Sequence, residues 1–325
     1  MNSNPLVHSE PGTGIPVGIS ACLLGEPVRY DGGHKAHSYI MNTLGEFFAL
    51  RSFCPELDIG LGVPRKTIRL VGNSMDDVRC VGVDDASRDY TEALRESARQ
   101  QFHWLQNLCG YIVKKDSPSC GMERVRLWRG DMPDRSGTGL YTQTFMQQFP
   151  YLPVEEEGRL GDPVLRENFV QRVFVLHRWR AMLAEGLTLA RFIDFHTRHK
   201  LIIMSHDQPR YRELGQFVAA TRKQDLADRS DSYLLQLMEI LKLKASRGNH
   251  VNVLQHVQGY LKKQLDGDDK QELVETIERY RMGQLPLIVP ITLLNHHFRK
   301  YPDKYIAESW YMNPYPSELK LHNEI

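Results

Sequence analysis

The chain has no CxxC pair, and its five cysteines form an odd set among 325 residues. Both facts argue against a secreted disulfide framework and for a reducing compartment, with the cytoplasm as the expected location. No apolar run is long enough to span a bilayer. The first residues lack the basic start and apolar core of a secretory leader. Residues 1–14, polar and broken by Pro5, Pro11, Gly12 and Gly14, read as a disordered tail. No internal repeat stands out. What remains is an ordinary soluble composition, 41% hydrophobic and 25% charged, long enough for two domains.

Net charge is also scarce, at +1, but it is unevenly spread. Residues 1–163 carry 17 Lys and Arg against 21 Asp and Glu, a net of −4, and residues 164–325 carry 24 against 19, a net of +5. Nine of the 13 histidines also fall in the second half, so the halves suit different partners. The first half alternates strand and helix signals. Strands are predicted over 15–20, 50–53 and 110–114, a strand pair over 68–71 and 78–83, and a further strand over 125–128. Helices are predicted over 38–50 and 89–108. A Gly/Asp/Pro-rich stretch ends in Gly137-Thr138-Gly139, whose Gly-x-Gly is weak evidence for an anion cradle. Glu155-Glu156-Glu157-Gly158 breaks the pattern, and Asp162-Pro163 then opens a helix with an N-cap and a proline at the first helical position. Helices follow over 188–203, 209–222, 232–244, 248–264, 270–282 and 287–298, the last kinked or delayed by Pro290. The expected fold is therefore an α/β domain with a wound sheet over 15–161, followed by an all-α domain over 162–325.

Three cysteines stand just past predicted strands: Cys22 after 14–20, Cys54 after 50–53 and Cys120 after 110–114. In a wound sheet the carboxyl ends of parallel strands converge on one crevice. Three thiolates meeting there point to a soft metal centre with an open position. Cys54 is followed by Pro55-Glu56, which keeps a carboxylate beside the sulfur. Cys120 closes Ser117-Pro118-Ser119-Cys120-Gly121, a rigid polar turn. Cys80 lies inside a strand and Cys109 closes a helix, so both read as core. Zinc would take a fourth ligand such as His34, His37 or His103, whereas a cubane iron–sulfur cluster on three cysteines leaves one iron free. Spacing alone does not separate the two.

The set Ser-Ala-Cys-Leu-Leu-Gly at 20–25 with Val-Arg-Tyr-Asp-Gly-Gly at 28–33, Cys-Pro-Glu at 54–56 and Ser-Pro-Ser-Cys-Gly at 117–121 resembles the thiouracil desulfidase family. The resemblance implies a 4Fe–4S cluster held by Cys22, Cys54 and Cys120, used for non-redox removal of sulfur from thiolated pyrimidines. Glu56 and Ser117 match the family's catalytic pair. The helical half resembles the accessory domain of longer members, which act as tRNA 4-thiouridine desulfidases. Matching stretches include His199-Lys200, Tyr211-Arg212-Glu213-Leu214-Gly215, His256 with Gly259-Tyr260-Leu261-Lys262, and Leu287-Ile288-Val289-Pro290. This implies 4-thiouridine in tRNA as substrate and tRNA as partner.

The residue types suit that chemistry. Exchange of C=S for C=O needs attack by water and departure of sulfide, with a Lewis acid for sulfur and a carboxylate to shuttle protons. Ser117 would hydrogen-bond the ring or the water. In the helical half, basic residues interleave with aromatics: Arg172, Arg178, Trp179 and Arg180, then Arg191, His196, Arg198, His199 and Lys200, then His296 to Tyr301. Such clusters can bind phosphates and stacked bases, though a helical bundle with solvated faces produces the same pattern. His196 and His199 have a spacing more often structural than metal-binding. Two other functions share these residues: a desulfidase of free thiolated bases whose helical half serves assembly, and a zinc-stabilised RNA-binding module without catalysis.

Overall fold

The computed structural model describes residues 14–319 and residue 321. The tail predicted over 1–14 lies outside the described residues except for Gly14. The chain divides into two units, Met1–Asp162 and Pro163–Ile325.

The strands of the first unit are β1 (Ile15–Ser20), β2 (Phe48–Phe53), β3 (Ile68–Val71), β4 (Arg79–Gly82), β5 (Gly110–Val113), β6 (Val125–Arg129), β7 (Met132–Gly137) and β8 (Val154–Glu156). Its helices are α1 (Ser38–Asn42), α2 (Pro55–Asp58), α3 (Thr91–Gln100), α4 (Phe102–Leu105) and α5 (Leu140–Gln148). The main sheet runs β2-β1-β5-β8 and every pairing in it is parallel. β1 is buried along nearly its whole length, as a central parallel strand must be. Gly18 is required there: a Cβ would lie 2.4 Å from the Tyr111 ring of β5. Tyr111 stacks on Phe145 of α5 at 5.0 Å, and Tyr141 of α5 stacks on Phe53 of β2 at 5.3 Å, so one aromatic layer ties α5 to the sheet. A second, mixed sheet runs β4-β3-β6-β7, with β3 parallel to β6 and the outer pairs antiparallel. The first unit thus has two four-stranded sheets where one wound sheet was expected.

Local departures have tertiary causes. The helix predicted over 38–50 shrinks to α1 and a single 3₁₀ turn, because Phe48, Ala49 and Leu50 pair with Ile15, Pro16 and Val17. The helix predicted over 89–108 is α3 followed by the single turn α4, divided at Gln101. The segment 155–157 does not break the pattern: Glu155 and Glu156 lie in the edge strand β8, and all three glutamates are buried.

The second unit is helical: α6 (Pro163–Ala184), α7 (Leu189–His206), α8 (Gln208–Ala219), α9 (Leu226–Lys242), α10 (Arg247–Gly259), α11 (Gly267–Arg281), α12 (Ile288–Lys300) and α13 (Lys304–Glu308). Thr188, Asp207, Ser246, Asp266 and Asp303 each accept a hydrogen bond from the backbone N–H three residues on, capping the helices that follow. Pro290 is the third residue of α12, where its missing N–H costs nothing, so it helps start the helix. Trp179 of α6 packs against Phe192, Phe195 and Tyr233 at the centre of this unit. Arg178 is buried too, its guanidinium 3.8 Å from the Trp310 ring and donating to the Pro314 carbonyl, so it is not a phosphate contact. Trp179, His196 and His199 likewise face the core. No described helix is long and apolar enough to cross a membrane.

Candidate functional site

Because β2, β1 and β5 are adjacent and parallel, their carboxyl ends form one rim. Cys22 sits in the 3₁₀ turn Ala21–Leu24 after β1, and Cys54 caps α2 directly after β2. Cys120 follows β5 by a short loop. The rim is tied together where the cysteines leave it: the Ser20 hydroxyl at the end of β1 accepts the Lys114 N–H just beyond β5, at 3.0 Å. All three are free thiols, with Cys22 and Cys120 buried and Cys54 partly so. Cys80 and Cys109 are fully buried elsewhere in the core.

The thiols feel one another. Burial pushes Cys22 up to about 11, Lys114 opposes this, and the charge of Cys54 adds to it. Cys120 is also raised, first by burial and then by Cys54, Glu56 and Cys22. Burial raises Cys54, with Glu56 adding to it. Three thiols held protonated in this way are donors whose thiolate forms a soft, positively charged group would favour. Among the described residues no three His, Cys, Asp or Glu side chains close on a single ion. His34 and His103 are taken up locally, His34 Nδ1 accepting from the Ala36 N–H and His103 Nδ1 donating to the Gln100 carbonyl. By donor type, three thiols on one rim suit a group that takes thiolates, and an iron–sulfur cluster is such a group.

Glu56, on the first turn of α2, is fully engaged. Arg65 donates from Nε and Nη2 to Oε2 at 2.9 and 2.6 Å. Ser119 donates to Oε1 at 2.6 Å. Ser117 Oγ lies 2.9 Å from Ser119 Oγ and accepts the Cys120 N–H at 3.1 Å. Since the single proton of Ser119 goes to Glu56, Ser117 must donate to Ser119. The chain is thus oriented, from the Cys120 amide through Ser117 and Ser119 to Glu56. Ser119 is fully buried and sits 3.5 Å from Cys120 Sγ. Arg65 and Ser119 were not singled out by the sequence reading. Ser119 could have been found, since it lies inside the cysteine loop. Arg65 could not, because only the fold brings it to Glu56.

The cysteine loop is clamped from behind. The first N–H groups of α5, which have no partner inside a helix, serve it instead: Leu140 N donates to the Pro118 carbonyl and Tyr141 N to that of Ser119, both at 3.1 Å. Thr142 Oγ1 donates to the Cys120 carbonyl at 2.6 Å. A Cβ on Gly139 would lie 2.5 Å from the Ser119 carbonyl carbon, so glycine is needed for this approach. The Gly137-Thr138-Gly139 segment is therefore a support for the cysteine loop and not an anion cradle. On the other side Glu157 accepts the Lys115 N–H and pairs with Lys114 Nζ, while Glu156 accepts the Met122 N–H at 3.0 Å.

Comparison with known proteins follows the same division. Residues 17–157 match the family described as 2-thiouracil desulfurase, and residues 200–316 match one described as a protein of unknown function, DUF1722. The uncharacterized protein YbgA of Escherichia coli (strain K12) is 35% identical over 153 residues, 47% of this chain and 90% of its own length. The uncharacterized protein YbbK of Bacillus subtilis (strain 168) is 30% identical over 144 residues, 42% of this chain and 93% of its own. Among solved structures, one described as the [4Fe-4S]-dependent thiouracil desulfidase TudS is 28% identical, covers 46% of this chain and 94% of its own, and superposes with a TM-score of 0.37. The chain belongs to the 2-thiouracil desulfurase family, which it joins to a DUF1722 domain.

Proposed function

We propose that this protein removes sulfur from 4-thiouridine in tRNA, giving uridine and sulfide, at a 4Fe–4S cluster held by Cys22, Cys54 and Cys120. The observation that carries the reading is the convergence of three free thiols on adjacent strand ends, with a carboxylate hydrogen-bonded into the cysteine loop. The net change is hydrolysis: water supplies the oxygen, the C–S bond is exchanged for C–O, sulfide leaves with the water's protons, and no electron moves. A cluster on three thiolates supplies one iron without a protein ligand, a Lewis acid suited to sulfur. The protein's own part is to hold and move protons. Glu56, its Oε2 fixed by Arg65, keeps Oε1 aimed along Ser119 towards Ser117. A water at Ser117 can pass a proton down this chain to Glu56, which returns it to the departing sulfur. The start of α5 holds the loop that carries both serines, with Ser119 buried and Ser117 partly exposed.

The charge division supports tRNA as the form in which the substrate arrives, since the helical unit carries the positive excess. The reading is tested by anaerobic purification with iron, zinc and acid-labile sulfide analysis, followed by turnover of thiolated tRNA and of free thiolated base. About four iron and four sulfide per chain are expected for a cubane, with turnover of tRNA-borne 4-thiouridine. One zinc without sulfide overturns the cluster; turnover of free base alone overturns the tRNA substrate.

A further inference from the structure

Two stretches of the helical unit, 211–215 and 256–262, carry tyrosines within a basic run of sequence. The structure brings them together. Tyr260, just past the end of α10, stacks on Tyr305 of α13 with ring centroids 5.7 Å apart and planes inclined at 32°. His256 of α10 meets Tyr260 edge-on at 5.6 Å. Tyr211 of α8 lies near enough for its phenol to act on those of both Tyr260 and Tyr305. Three tyrosines separated by 94 positions of sequence thus share one patch.

The patch is not the packing core of these helices. That work is done by their neighbours: Leu214, Leu261 and Ile306 are almost completely buried, whereas Tyr260 is 38% exposed and His256 is exposed. The hydroxyls of Tyr260 and Tyr305 are protonated donors at neutral pH, as tyrosine hydroxyls ordinarily are. Exposed cations flank the rings along the chain: Arg210 and Arg212 beside Tyr211, Lys262 and Lys263 after Tyr260, and Lys304 before Tyr305. Two acids stand beside the patch, Glu213 next to Arg212 and Asp303 before Lys304, and the Asp303 carboxylate is engaged in capping α13.

Rings presented at the surface, donor hydroxyls and a cationic border are what an unstacked nucleotide requires: a face for the base and positive charge for the phosphates. We infer that the Tyr211–Tyr260–Tyr305 patch is a stacking platform for an unpaired base of RNA, with Lys262 and Lys263 engaging the adjoining phosphates. The inference rests on tRNA being the substrate and names where the helical unit holds it.

The test uses the full chain, loaded with its cofactor, and measures tRNA affinity across a salt series alongside turnover of free thiolated base. Tyr260→Ala is expected to weaken tRNA binding about tenfold or more, whereas Tyr260→Phe, which keeps the ring, stays within about twofold. Lys262→Glu with Lys263→Glu, at exposed positions that cannot unfold the unit, should weaken binding and flatten the dependence of log affinity on log salt by about one to two. Free-base turnover should not change in any of them. If wild-type protein binds no tRNA, the substrate reading and the platform fail together. If wild-type protein binds tRNA and both Tyr260→Ala and the double lysine variant bind it equally well, the platform alone is overturned. A change of oligomeric state with unaltered tRNA affinity would likewise overturn it, assigning the patch to a second copy of the chain.

Discussion

The two units bury polar groups in opposite ways. In the α/β unit the polar side chains around the cysteine loop form one connected network, from the Cys120 amide through Ser117, Ser119 and Glu56 to Arg65. Its backbone is braced by the start of α5 and by Glu156 and Glu157. Around Trp179 in the helical unit, polar side chains keep one nitrogen bonded, His196 Nδ1 to Tyr233, His199 Nδ1 to the Phe195 carbonyl and Arg178 to the Pro314 carbonyl, and leave another without a partner. His196 Nε2, His199 Nε2 and Arg178 Nη1 all lie buried without a hydrogen-bond partner. A satisfied network holds its members in one geometry, which is what chemistry needs, whereas a buried nitrogen left without a partner costs stability. The contrast separates a built site from polar side chains that happen to line a helical core.

The largest effects should come from breaking the first arrangement at its sulfurs. Cys22→Ser, Cys54→Ser and Cys120→Ser are each expected to abolish cluster assembly, read as loss of iron, sulfide and visible absorbance, because iron needs the thiolate. Cys80→Ser and Cys109→Ala, both in the core, should retain the cluster and lose only stability. A protein that bleaches with Cys109→Ala but not with Cys22→Ser would refute the ligand assignment.

Next come the groups that move protons. Glu56→Gln should keep full iron content and lose a factor of about 10² to 10⁴ in turnover, the range for removing a general acid–base group. Ser119→Ala should also keep the cluster, but it parts Ser117 from Glu56 and should lower kcat with little change in KM. Near-normal turnover in Ser119→Ala would show that Ser117 and Glu56 act without the buried serine between them.

The same contrast explains what the sequence could reveal. The shared rim of Cys22, Cys54 and Cys120 was legible because a parallel sheet sends every strand's carboxyl end to one side. Glu56 came with Cys54, and Ser117 with Cys120. Arg65 was not legible, since nothing local links a loop residue at 65 to α2. The second sheet was hidden because β7 reads as a turn-rich stretch, Met-Pro-Asp-Arg-Ser-Gly, and forms only by pairing with β6. The glutamates at 155–157 were taken for a break, since burial of three acids is intelligible only once Arg159, Lys114 and the backbone amides of the cysteine loop are seen as their partners. Along helices, composition misleads for a geometric reason. Arg178 and Arg180 are two residues apart and so point about 200° apart round the axis; one faces the core.

A smaller effect follows for Arg178. Arg178→Ala removes its contact with Trp310 and its hydrogen bond to the Pro314 carbonyl. It should lower the stability of the helical unit by about 1–3 kcal/mol, the range for losing a desolvated cation–π contact and a hydrogen bond from a charged donor, without altering cluster content. At equal folded fraction, tRNA affinity should match wild type. A variant that keeps its melting temperature but loses tRNA binding would return Arg178 to the surface.

The mildest test uses pH. Burial holds His196 down to about 4, and it holds His199 well below the usual histidine range. Each is neutral when folded and titrates near 6.5 when unfolded. Between those values the unfolded chain binds more protons, so stability rises with pH. It is complete above the unfolded value and drains away as pH falls from about 6.5 towards 4. At about 1.4 kcal/mol per unit, His196 alone accounts for roughly 3 kcal/mol. His196→Gln keeps a polar partner for the Tyr233 hydroxyl, now 3.0 Å from Nδ1, but cannot titrate. Urea unfolding of the helical unit at pH 7, 6 and 5 should show wild type weakening steadily and His196→Gln weakening less, by close to one proton in the slope. Equal slopes would mean that water reaches His196 and that burial of its unpartnered Nε2 is not the liability the comparison makes it.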